Sequence, residues 1–221
     1  MFNFFQKSDA QIQKDVLSEM KWDPSLTPAE MSVIAKDGIV TLRGTVPHYF
    51  EKTLAEKAAQ RVGGVRAVAN EIDVHILGPN EKKDEDIAVA AVNALQWNYQ
   101  VPETVKVSVD KGHVTLRGEV LWDYQRAAAV NSISRLMGVR SVHDMTTIKA
   151  QAQTSDIQAR IEEALKRSAE GEGRNINVAI DGDKVTLTGN VHSFSESEVA
   201  RFAAWNAPGV MRVVNNLKLL Q

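Results

Sequence analysis

The chain contains no cysteine. That excludes a disulfide framework, a thiolate metal site, a thiol nucleophile and a lipidated cysteine. No run approaches the ~18 apolar residues that read as a membrane-spanning helix. Charge of one sign is also missing: 26 Lys and Arg stand against 28 Asp and Glu, a net of −2. Such a balance leaves no footprint for nucleic acid. The opening "MFNFFQKSDAQIQKD" turns polar after a few residues, whereas a secretory signal needs roughly 7–15 apolar ones and a small-residue cleavage site. The expected compartment is the cytoplasm. What is present, 43% hydrophobic and 24% charged residues in 221, is the composition of a globular protein.

The chain repeats itself. "DGIVTLRGTV" (37–46) returns as "KGHVTLRGEV" (111–120) and "GDKVTLTGNV" (182–191). Aligning these phrases puts Gly44, Gly118 and Gly189 in one column. Twenty residues later stand Gly64, Gly138 and Gly209, each followed by valine. The copy-to-copy offsets are 74 and 71 residues, which is domain-sized and too long for a solenoid repeat. Three tandem domains are expected, at 1–78, 79–150 and 151–221. The joints fall in the polar stretches "LGPNEKKDED" and "KAQAQTSD".

Each copy reads as helix, strand, strand, helix, strand. The first helix carries Ile12, Val16 and Met20; Ile87, Ala91 and Leu95; or Ile157, Ile161 and Leu165 at helical spacing. Caps are expected at Ser8 or Asp9, at Asp86, and at Ser155 or Asp156. An alternating strand, a tight turn and the repeated strand follow, with Val40, Leu42 and Val46 on one face. The second helix has the stripe Leu54, Ala55, Ala58 and Val62, matched by Ala128, Ala129, Ser132 and Leu136 and by Val199, Ala200, Ala203 and Ala207. Gly64 and its counterparts are expected to end it. The fold class is α+β, with two helices on one face of a three-stranded mixed sheet in each copy.

This order, the "VTLxGxV" strand and the "GV" pair twenty residues past its glycine resemble the BON domain, named for bacterial osmotically inducible and nodulation proteins. The resemblance covers nearly the whole chain in three copies. It implies non-enzymatic domains that bind phospholipid membranes in envelope-maintenance and osmotic-stress proteins. It also brings the periplasm as the alternative compartment.

Columns identical in all three copies hold aliphatic residues, glycine or threonine. None of these can act as a general acid, a base or a metal ligand near neutral pH. The five histidines fall in five different columns, and Asp37, Asp110 and Asp181 sit where hairpin turns need them. The chain is therefore read as a binding protein without catalytic, cofactor or metal residues.

Function is sought where the copies differ. In "IAVAAVNALQW" (87–97) nine of eleven residues are apolar, against five in each equivalent window. At 1.5 Å per residue this helix is about 17 Å long, short of a ~30 Å hydrocarbon core. Either it packs between domains or subunits, or it presents Val89, Val92, Trp97 and Tyr99 to lipid or another partner. Aromatics also gather before the second helix of each copy: Tyr49, Phe50, Trp122 and Tyr124, with Phe194. They form either a staple over the helix start or a rim for lipid or peptide. In the third copy, Phe202 and Trp205 stand three apart on a helix surface suited to docking. The partners expected are an anionic phospholipid surface, a second copy of the chain, or another protein.

Overall fold

The structure, a computed structural model, describes residues 7–27, 30–76, 78, 81–149, 161, 163, 176–207 and 210–220. Two compact units divide the chain: Met1–Val120 with Tyr124–Thr147, and Leu121–Asp123 with Ile148–Gln221. The first repeat comprises α1 (Asp9–Trp22), β1 (Met31–Lys36), β2 (Ile39–Val46), α2 (Tyr49–Arg61) and β3 (Ala67–Val74). The second comprises α3 (Asp84–Trp97), β4 (Lys106–Asp110), β5 (His113–Val120), α4 (Asp123–Ser134) and β6 (Ser141–Ile148). In the third, β7 (Ile176–Asp181), β8 (Lys184–Val191), α5 (Phe194–Trp205) and β9 (Arg212–Leu219) are described. Its expected first helix lies outside the described residues, save that Ile161 is buried.

Each repeat folds as the alternation requires. The thrice-used phrase is the central strand of its own three-stranded sheet, in the orders β1-β2-β3, β4-β5-β6 and β7-β8-β9. The hairpin partner runs antiparallel, with Val33 opposite Leu42, Val107 opposite Leu116 and Val178 opposite Leu187. The last strand runs parallel to the centre in the first and third repeats, pairing Val40 with Val68 and Val185 with Val213. Period-two alternation sends Val40, Leu42 and Val46 to one fully buried face, and their counterparts Val114, Leu116, Val120, Val185, Leu187 and Val191 likewise. Ile12, Val16 and Met20 of α1, and Ile87, Ala91 and Leu95 of α3, close over that face as their spacing requires.

The second helix buries a slightly different stripe from the expected one. Ala55, Ala58 and Ala59 are inside α2, the expected Ala128 and Ala129 with Ile133 inside α4, and Ala200 and Ala204 inside α5. Leu54 is half-buried and Val199 exposed. A helix resting on a sheet buries i, i+3, i+4 and i+7, and here that series starts at Ala55 rather than Leu54.

Two glycine columns are explained by close approach. Gly44 and Gly118 both have φ +134, and Gly189 has φ +125, a region open only to glycine. A methyl group on Gly44 would run into the carbonyl oxygen of Glu30, and one on Gly118 into that of Thr104. Gly64 and Gly138 lie a few residues past the helix rather than capping it: α2 ends at Arg61 with Val62 as C-cap, and α4 at Ser134. Their role is packing. A Cβ on Gly64 would stand 3.2 Å from Cδ1 of Ile12, and one on Gly138 would stand 2.8 Å from Cδ1 of Ile87. Gly209 lies outside the described residues.

The first turn of the first helix carries a clamp that the spacing did not reveal. Ser8 is the N-cap of α1, accepting from the Gln11 N–H at 3.3 Å. Asp9 instead reaches the hairpin tip, accepting from the N–H groups of Asp37 (2.9 Å) and Gly38 (3.1 Å). In the second repeat Asp84 does the same for Lys111 (2.7 Å) and Gly112 (2.8 Å). The cap expected at Asp86 is therefore displaced: α3 begins at Asp84, with Lys83 as N-cap. The N–H groups of Asp37 and Gly38 hold the Asp9 carboxyl below its ordinary value of 3.8. A lowered folded value means that the clamp is complete above 3.8 and is lost as pH falls through the lower folded value. An acid titration following the Asp37 and Gly38 amide shifts by NMR should show a midpoint below 3.8; a midpoint at or above it counts against the clamp.

Candidate functional site

The apolar helix of the second repeat is α3. Asp84, Glu85 and Asp86 in its first turn complement the positive end of the helix dipole. Ile87, Ala91 and Leu95 bury one stripe. A two-layer repeat needs no more than that, so Ala88, Ala90 and Ala94 are only half-buried and the larger Val89 and Val92 are left outside. Val89 is 58% exposed and Val92 is also exposed. Within the compact unit of the first two repeats no described residue covers them.

The end of α3 presents two aromatic rings. The Asn98 N–H bonds to the Leu95 carbonyl at 3.3 Å. Its side-chain oxygen accepts from the Gln100 N–H at 3.0 Å, while its amide donates to Ser132 Oγ at 2.9 Å. This anchored turn holds Trp97 and Tyr99 on either side of Asn98, 88% and 93% exposed. The first repeat ends its helix the same way: Asp23 accepts from the Ser25 N–H at 2.9 Å, and Trp22 before it is 86% exposed. Trp22 was not singled out from the sequence. The shared Trp-Asx ending of the two windows was the signal that could have found it.

Tyr49 and Phe50 are placed differently from this face. Both start α2, and both lie half-buried against the second repeat within the same compact unit. The guanidinium of Arg135 sits 4.2 Å from the Phe50 ring centroid, a cation–π contact between repeats. The Tyr49 phenol is pushed up by burial, and a hydrogen bond to the Val142 backbone partly opposes the shift. These two rings join the repeats rather than lying open with Trp97 and Tyr99. In the second repeat Trp122 is half-buried and Tyr124 exposed. In α5, Phe202 is exposed but Trp205 is buried, so the two do not form one open surface. The structure thus brings Val89, Val92 and Trp97 together on α3, with Tyr99 in the turn that follows it, and leaves the other expected residues elsewhere.

Two αββαβ repeats and a third described from its first strand onward share one central strand and one set of glycine columns, and together they describe a family. Its model, the BON domain, matches residues 8–75, 83–150 and 153–221. The chain belongs to the BON domain family. BON domains are non-enzymatic binding domains known in envelope and stress proteins. None of the curated proteins compared matches the chain. Among solved structures it is similar to the C-terminal domain of CdsD, the structural protein of the type III secretion system of Chlamydia trachomatis. There the identity is 14% and the TM-score 0.27, over 97% of this chain and 100% of that one. A second CdsD structure gives 14% and 0.26, over 94% and 91%. Scores at that level carry no argument about function. Among the described residues, no helix of these BON repeats is long and apolar enough to cross a membrane.

Proposed function

We propose that the protein is a non-enzymatic BON protein that lies peripherally on anionic phospholipid through its second repeat. The observation that carries this reading is the uncovered outer face of α3, with Val89 and Val92 along it and Trp97 and Tyr99 at its end. A short helix with an apolar outer face and aromatics at one end suits shallow insertion at the headgroup boundary. The net charge of −2 makes apolar burial, rather than long-range attraction, the main driving term. The compartment proposed is the cytoplasm, with the periplasm as the alternative that BON proteins suggest; cell fractionation separates them.

Co-sedimentation with phosphatidylglycerol or cardiolipin vesicles at low salt tests the reading. Burying a large apolar side chain is worth ~1.5–3 kcal/mol, so Val89→Asp with Trp97→Ser is expected to lower partitioning at least about tenfold. No binding by the unaltered chain would remove the proposal. The second reading, docking onto a second copy or a protein partner, rests on the same exposed face. Light scattering would favour it if the chain self-associates and the double variant does not.

A further inference from the structure

At the opposite end of α3 from Trp97 lies a cavity of about 470 Å³. Its walls are the start of α3, the β4–β5 hairpin tip and the loop after α4. Lys82, Lys83, Lys111 and Arg140 line it, with His113 beside them and only Glu81 and Asp84 as carboxylates. None of the four cations makes an ion pair with a described residue. Asp84 is already committed to the Lys111 and Gly112 N–H groups. Among the lining residues four cations stand against two carboxylates, an excess of two positive charges at the wall, while Glu85 and Asp86 of the same helical turn do not line it.

The first repeat shows that the fold does not ask for this charge. In the same places it has Lys7 and Ser8 for Lys82 and Lys83, Asp37 for Lys111, Ile39 for His113, and Arg66 for Arg140. Lys7 is tied to Asp15 at 2.7 Å. Two of the replacements go against local preference. Ser8 caps α1 through its hydroxyl, whereas Lys83 at the N-cap of α3 makes no side-chain bond; losing such a cap typically costs ~1 kcal/mol. Lys111 sits at φ +50, a left-handed position where Asp, Asn or Gly is favoured and lysine is unusual. Asp37 holds that position in the first repeat at φ +51, and Gly182 in the third at φ +61. Where a sequence departs from local rules twice in one concave spot, a ligand is the natural reason.

We infer that this cavity binds a phosphate monoester group. Such a group carries about −1.5 to −2 at neutral pH, which matches the excess charge of the walls. Lysines and a guanidinium are the donors suited to its oxygens. The cavity is larger than a bare phosphate and falls in the ~300–1,000 Å³ range of small-molecule sites. It therefore has room for an organic phosphate, either soluble or the headgroup of a lipid. The site stands apart from the apolar face of α3 and does not require that face to meet a membrane.

Calorimetric titration of the whole chain with inorganic phosphate and with glycerol 3-phosphate tests the inference. A vesicle arm compares phosphatidic acid, a monoester, with phosphatidylglycerol, a diester. The informative variant is Lys83→Ser with Lys111→Gly, which installs residue types the other repeats carry there; a thermal melt unchanged from the parent chain checks that its fold is intact. Saturable phosphate binding, weakened at least about tenfold in this variant, is the expected result. Glycerol 3-phosphate binding without a preference for phosphatidic acid would identify a soluble ligand. A phosphatidic acid preference lost in the variant would identify a lipid headgroup. No saturable binding of either soluble phosphate and no phosphatidic acid preference would overturn the site, as would equal affinity in the variant. Binding to phosphatidylglycerol that depends on Val89 and Trp97 reports on the apolar face alone, so the two ideas can fail separately.

Discussion

Gly118→Val is expected to unfold the second BON repeat. The glycine holds φ +134 in the middle of the central strand, where strain for any other residue is of order 1–3 kcal/mol. The new Cβ would also meet the Thr104 carbonyl oxygen. Thr104 immediately precedes Val105, which is buried, so the obstacle is backbone next to the core rather than the free end of a side chain. Even Gly118→Ala should cost roughly 3 kcal/mol or more, a large share of what a domain of this size has. Gly78 supplies the control. Its φ is +62, and no described residue stands within 4 Å of the place a methyl group would take, so Gly78→Ala is expected to carry only the left-handed penalty of ~1–2 kcal/mol. Hydrogen exchange read by mass spectrometry should show protection lost across 105–148 in Gly118→Val and kept in Gly78→Ala. Unchanged protection in the valine variant would refute the close-approach argument.

Leu116→Ala should be nearly as damaging. Leu116 is fully buried, opposite Val107 in the hairpin and within the face that α3 covers. Truncating such a leucine leaves a cavity and costs ~2–5 kcal/mol. A repeat of about 70 residues has a thin core and little stability to lose. Val92→Ala, on the outer face of α3, should change stability by less than ~0.5 kcal/mol. Urea unfolding of both variants compares them directly. Equal midpoints would mean that the inner and outer faces of the second repeat have been assigned wrongly.

The fold was legible because its determinants are local and repeated. Period-two alternation placed Val40, Leu42 and Val46, and helical spacing placed Ile12, Val16 and Met20, without any long-range information. Internal repetition also marked Gly44 and Gly64 as backbone positions. What it could not show was why. The Glu30 and Thr104 carbonyls and the Ile12 and Ile87 side chains that crowd these glycines come from distant segments. The surfaces were less legible for the same reason. "PHYF" and "NALQW" look alike as aromatic or apolar clusters, yet Phe50 lies under Arg135 while Trp97 stands open. Which cluster finds a neighbour is decided by docking between repeats, and no periodicity encodes that. The basic cavity was missed because Lys82, Lys111 and Arg140 are scattered along the chain and converge only once the hairpin folds back.

The parallel closing strand has a kinetic consequence. The central strand of a repeat is paired on one side by its hairpin at once, but its other edge stays open until the last strand has been synthesised. Three such edges carry almost the same phrase, so a final strand could join the wrong one, the characteristic misassembly of repeat proteins. The cross-strand partners differ enough to bias the choice. Arg43 meets Glu71 at 2.7 Å, the Arg117 guanidinium meets Met145 Sδ at 3.7 Å, and Thr188 stands opposite Asn216. Each such pair discriminates by only ~0.2–1 kcal/mol. Order of emergence from the ribosome supplies the rest: the first sheet is shut before the second central strand exists. A whole chain released from denaturant has all three edges open together, and loses that protection.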